Sequence, residues 1–132
     1  MSDARIRTAG IVVTHGKLAE ELIRTIESIL GEVGDLYPVC SENYVDTMIV
    51  KKIREIIETY KEGHVVLFAD YSGGSCFLNC IRAKVGVKGV KLISGVNLPV
   101  LLDFVTKRGL MDYNEMTDHL VKRGRDSISS TS

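Results

Sequence analysis

The strongest constraint on this chain is an alternation. Short apolar runs, too short to be helices, alternate with longer stretches whose apolar residues recur every three to four positions. Residues 6–13, 36–40, 64–69 and 90–93 read as strands, the first most clearly from Ala9 to Val13. Residues 17–30, 44–60, 75–85, 98–108 and 112–123 read as helices. Leu18, Leu22, Ile26 and Ile29-Leu30 mark one face of the first helix. Val45, Met48-Ile49, Ile53, Ile56-Ile57 and Tyr60 mark the second. Tyr113, Met116 and Leu120 give the last helix an apolar face suited to dimerisation.

Strands that alternate with helices imply an α/β fold: a doubly wound, mostly parallel sheet with helices on both faces. The third run, His64-Val65-Val66-Leu67-Phe68-Ala69, is almost wholly apolar, as a central parallel strand should be. Pro38 puts the second strand at a sheet edge. A strand order of 2-1-3-4 makes the first and third strands neighbours whose connections leave in opposite directions. They open a crevice at the carboxyl edge of the sheet, where such folds bind ligands.

Two polar residues end those two strands, His15 and Asp70. An imidazole displayed there can act as a base, a metal ligand or a nucleophile. A carboxylate beside it narrows the choice. Bonded to one ring nitrogen, it fixes the tautomer and stabilises positive charge on the ring, leaving the other nitrogen free to attack phosphorus or another electrophile. The segment Gly73-Gly74-Ser75 opens the next helix. Glycines there let backbone N–H groups approach an anion, and the helix dipole favours negative charge. Ser75 adds a hydroxyl donor and Thr14 a second, so these four residues read as a phosphoryl cradle around the His15–Asp70 pair.

Other chemistries lack support. The chain of 132 residues fits one domain, with residues 125–132 as a frayed tail. It balances 17 basic against 17 acidic residues, which gives no general attraction to nucleic acid or an anionic membrane. No apolar run approaches a bilayer crossing, and Met1 to Arg5 carry no leader-like core, so a cytoplasmic location is expected. Three cysteines without disulfide spacing agree with a reducing compartment. Neither a P-loop nor a Gly-x-Gly-x-x-Gly turn is present. Cys76 and Cys80, four apart, read as small core residues and not as metal ligands, so neither metal nor cofactor is expected. Cys76 near a helix N-terminus is a competing nucleophile, because that position lowers a thiol pKa. His64 and His119 read as structural or solvated, and Lys107-Arg108 as a solvated helix end.

Three blocks resemble the IIA component of the mannose-type sugar phosphotransferase system: IVVTHGKLAEEL at 11–22, VVLFADYSGGSCFLN at 65–79 and LISGVNLPVLLDF at 92–104. The resemblance covers roughly residues 9–109 and implies the same 2-1-3-4 fold. It implies that His15 accepts a phosphoryl group from the phosphocarrier HPr and passes it to a IIB component, with membrane IIC and IID components engaged indirectly. Asp70 would be the histidine's partner, and Gly73, Gly74 and Ser75 would lie near the phosphoryl group. It further implies a homodimer with an extra C-terminal strand exchanged between subunits. The chain departs from the family's common pattern at Cys76, where Pro is usual, and at Tyr71-Ser72. A phosphohistidine regulatory module, the phosphotransfer subunit of a dihydroxyacetone kinase, and a small phosphoester hydrolase using Cys76 or His15 are the competing readings.

Overall fold

A computed structural model describes residues 8–132. The start of the first predicted strand, Ile6 and Arg7, and the N-terminal residues read for a leader lie outside the described residues. The elements run β1 (Thr8–Thr14), α1 (Leu18–Leu30), β2 (Leu36–Cys40), a single 3-10 turn (Ser41–Asn43), α2 (Asp46–Thr59), β3 (His64–Ala69), α3 (Ser75–Lys84), β4 (Val90–Ser94), α4 (Leu98–Lys107) and α5 (Tyr113–Asp126). Each predicted strand and helix is present.

The four strands form one parallel sheet in the order β2-β1-β3-β4. Alternation along β1 and β3 divides the core into two layers. Ala9, Ile11 and Val13 of β1, with Val65, Leu67 and Ala69 of β3, face α2 and α3. Val12, Val66 and Phe68 face α1, α4 and α5. Both central strands are therefore apolar on both faces, which is why they carry little period-2 signal. Gly10 lies on the second face. A Cβ there would sit 2.7 Å from Phe104 Cε2 and 2.9 Å from Leu36 Cδ1, so only glycine lets the Phe104 ring close on the sheet. Phe104 in turn meets Phe68 edge-to-face at 5.2 Å.

Several expectations shift on packing. The buried face of α1 is Ala19, Ile23 and Ile26, one step round from the predicted stripe, and Leu18, Ile29 and Leu30 are exposed. Ala19 is small enough to let the helix approach the sheet, and a pattern weighted to large apolar residues passes over it. On α2, Ile49, Ile53, Ile56 and Ile57 are buried while Val45 and Met48 are exposed. Met116 and Leu120 are buried within the chain against the sheet, and the Tyr113 hydroxyl donates to the Val65 carbonyl at 2.7 Å. That face is not free for a second subunit.

Arg108 is no solvated helix end. Its guanidinium lies over the Phe104 ring and donates to the carbonyls of Thr8 and Asp35, at 3.3 and 2.9 Å. The last helix extends past the predicted 112–123. Helix α5 runs to Asp126, and Ser127 Oγ accepts from Asn97 Nδ2 at 3.3 Å, which ties its end to the start of α4. Among the described residues there is no fifth strand, and no helix is long and apolar enough to cross a membrane.

Candidate functional site

The crevice lies where β1 and β3 run side by side. Val13 pairs with Ala69, so the next residues of each strand leave the sheet together at its carboxyl edge. Helix α1 departs to one face and α3 to the other, as a switch point requires. Gly16, with φ of 57°, turns the chain sharply after His15 and leaves the imidazole at the surface.

Asp70 holds His15 at two points with one oxygen. Its Oδ2 accepts the His15 backbone N–H at 2.8 Å and lies 2.8 Å from ring Nδ1. Its Oδ1 accepts the Tyr71 N–H at 3.0 Å. Burial works against the charged carboxylate, but the His15 backbone bond, the His15 ring and the Tyr71 bond outweigh it and hold the pKa below the usual range. Asp70 is therefore ionised near neutral pH and can only accept. Nδ1 must carry a proton, and in the neutral ring Nε2 then keeps its lone pair. Ser75 Oγ lies 3.1 Å from Nε2 and donates to it.

The His15 side chain is 44% exposed, against 11% for Asp70. The imidazole is open to solvent, and the carboxylate that orients it is mostly covered. Tyr71 stacks on the imidazole with centroids 5.6 Å apart and planes at 28°. The opposite end of the same tyrosine ring rests on Gly74, where a Cβ would meet Cζ at 2.7 Å. Gly73 takes a φ of 90°, a left-handed conformation that turns the loop into α3. No side chain caps α3, whereas Asn97 and Asp112 cap α4 and α5. The first-turn amides of α3 thus have no side-chain cap.

His15, Asp70 and Ser75 thus come together, and Gly74 adjoins them through the Tyr71 ring. Thr14 stands apart. It is fully buried, and its Oγ1 accepts the Ala19 N–H at 2.7 Å, holding the first turn of α1. Cys76 also departs from expectation. It is buried, and burial, followed by the charge of Asp70, pushes its thiol up to about 11, which removes it as a nucleophile at neutral pH. Sequence reasoning missed Tyr71, whose contact with His15 depends on how the 70–74 loop folds back.

The sequence profile of the EIIA-man family, described as the PTS system fructose IIA component, matches residues 10–121. The chain belongs to this family. The mannose-specific EIIAB component of Escherichia coli K12 is 32% identical over 128 residues, covering 93% of this chain and 39% of that protein. The chain thus spans well under half the length of that relative. The sorbose-specific EIIA component of Lacticaseibacillus casei is 24% identical, covering 92% of this chain and 89% of its own. Among solved structures, the phosphotransferase system EIIA component of Streptococcus agalactiae superposes with a TM-score of 0.87 at 18% identity, covering 94% of this chain and 97% of that one. The mannose/sorbose-specific IIA subunit of Enterococcus faecalis gives 0.81 at 19% identity, covering 96% of each chain. These two structural likenesses bear on the fold.

Proposed function

We propose that the chain is a phosphoryl carrier of a phosphoenolpyruvate-dependent sugar phosphotransferase system, and that His15 Nε2 is the atom that carries the group. The observation behind this reading is the double hold of Asp70 on His15, which leaves Nε2 of the neutral ring unprotonated.

The donor is HPr in its phosphohistidine form. The Nε2 lone pair forms a bond to phosphorus as the donor's phosphorus–nitrogen bond breaks, and the electron pair returns to the donor's ring. Positive charge builds on the His15 imidazole and is matched by Asp70. Ser75 Oγ releases Nε2 and turns its hydroxyl to a phosphoryl oxygen, and the amides that follow Gly73 and Gly74 face the others. Such a transfer asks mainly for positioning and charge stabilisation. No metal or nucleotide is needed, because the donor already carries an activated group. The reverse sequence delivers the phosphoryl group to a IIB component, which serves membrane IIC and IID components.

The exposed rings and chains beside the site, Tyr71 and Leu18, offer apolar contact for both protein partners. Three free cysteines suit a cytoplasmic location. The active form is a homodimer, whose interface lies away from the buried Met116–Leu120 face.

Incubation with phosphoenolpyruvate, enzyme I and HPr should add one acid-labile phosphoryl group, detected by mass spectrometry. A gain that survives His15→Ala, or none in the wild type, overturns the reading.

A further inference from the structure

Side chains from the ends of β1 and β3 and from the start of α3 converge at the imidazole. His15 follows β1, Asp70 follows β3, and Cys76 lies in the first turn of α3. One ligand atom from each lies within 4.8 Å of the other two. We propose that His15, Asp70 and Cys76 form an inhibitory site for a thiophilic divalent cation, with zinc as the fitting ion.

The donor set selects the ion. One imidazole nitrogen, one carboxylate oxygen and one thiolate sulfur are the ligand types zinc takes, at short range and in tetrahedral array. Three protein ligands leave the fourth position to water, the pattern of an exchangeable site and not of a structural one. A thiolate disfavours magnesium and calcium, which seek oxygen alone. The surroundings suit a cation as well. Cys76 is fully buried and Asp70 mostly so, while His15 is open to solvent and gives an entry path. Two potential anions held this close in a partly dry pocket repel one another and are both stabilised by a dication between them. The Tyr71 N–H, bonded to Asp70 Oδ1, steadies the carboxylate from outside the ligand set.

Binding exchanges bonds without redox change. The Cys76 S–H bond breaks, its proton leaves to solvent, and a sulfur–metal bond forms. The consequence for His15 is the same whichever ring nitrogen binds. A metal on Nε2 occupies the nucleophile, and a metal on Nδ1 moves the proton to Nε2. Either way the lone pair that would take phosphorus is lost. The inhibitory half of this proposal rests on the phosphoryl-carrier reading; the metal-binding half does not.

Cobalt(II) reports directly on such a site. Titrating the full chain should give a thiolate-to-cobalt charge-transfer band in the near ultraviolet that saturates at one equivalent and disappears when zinc is added. Cys76→Ser should abolish the band and His15→Ala should weaken binding at least tenfold, while Cys80→Ala, which keeps all three ligands, should retain it. His15 is exposed, so its variant keeps the fold. Absence of the band in the wild type, its survival in Cys76→Ser, or its displacement by magnesium overturns the site. In a second arm, zinc should block phosphoryl gain from HPr in the wild type, with recovery on chelation, and should not block it in Cys76→Ser. Equal inhibition of both proteins overturns the inhibitory role. A wild type that takes no phosphoryl group even without zinc overturns the carrier reading instead, and the cobalt result still decides the site.

Discussion

A single oxygen of Asp70 accepts both the backbone N–H and the ring Nδ1–H of His15, each at 2.8 Å. The backbone bond fixes where the residue sits, and the ring bond fixes which way it faces and which nitrogen is protonated. One carboxylate thus sets position, orientation and tautomer together.

Removing that carboxylate should therefore cost rate more than fold. Asp70→Asn keeps the shape but can present an N–H to the ring and favour the wrong tautomer. We expect phosphoryl transfer from HPr to fall on the order of 10²–10⁴-fold, the range seen when an orienting acid or base is lost. Rapid-quench phosphorylation measures it, and circular dichroism should show an unchanged fold.

The same pair links stability to pH. The folded pKa of Asp70 lies below its ordinary 3.8, so its contribution is present above that value and is lost as pH falls through the folded pKa. Urea unfolding should show wild type and Asp70→Asn diverging above pH 3.8 and converging in more acidic solution. A difference that stays constant with pH would contradict the assignment.

Gly74 and Tyr71 should act as a unit. A methyl group at Gly74 would lie 2.7 Å from Tyr71 Cζ and displace the ring from His15. Gly74→Ala should slow phosphoryl transfer, and the double variant with Tyr71→Ala should be no slower than Tyr71→Ala alone. A double-mutant cycle on transfer rates checks this, and strict additivity would separate the two residues.

Gly10 lies far from the chemistry and serves packing alone. Gly10→Ala forces Phe104 and Leu36 apart, and overpacking of this kind costs about 1–3 kcal/mol. Chemical denaturation should show that loss, with phosphoryl transfer kept at temperatures where the variant remains folded.

Thr14 holds the first turn of α1 from a buried position. Thr14→Val removes the acceptor for the buried Ala19 N–H and should destabilise the fold by about 1–3 kcal/mol, the cost of leaving a buried donor without a partner. Amide exchange at Ala19 should accelerate along with global unfolding.

Much of this protein is written along the chain. Runs such as Val65–Ala69 are apolar at every position, which forces burial on both faces and hence a parallel sheet wrapped by helices. Polar residues at the ends of β1 and β3 then fall at one edge, so the meeting of His15 and Asp70 follows once the common 2-1-3-4 order is taken. Tertiary structure decided the rest, because side-chain contacts across unrelated segments leave no local period. It turned α1 onto Ala19, buried Met116 and Leu120 inside the chain, drew Arg108 onto backbone carbonyls, and sent the Thr14 hydroxyl inward to the Ala19 N–H. It also set a Cys76 ligand atom within 4.8 Å of those of His15 and Asp70, a side-chain direction that the spacing in the sequence does not encode. Periodicity reports which face of an element is apolar, and only packing reports what each side chain meets there.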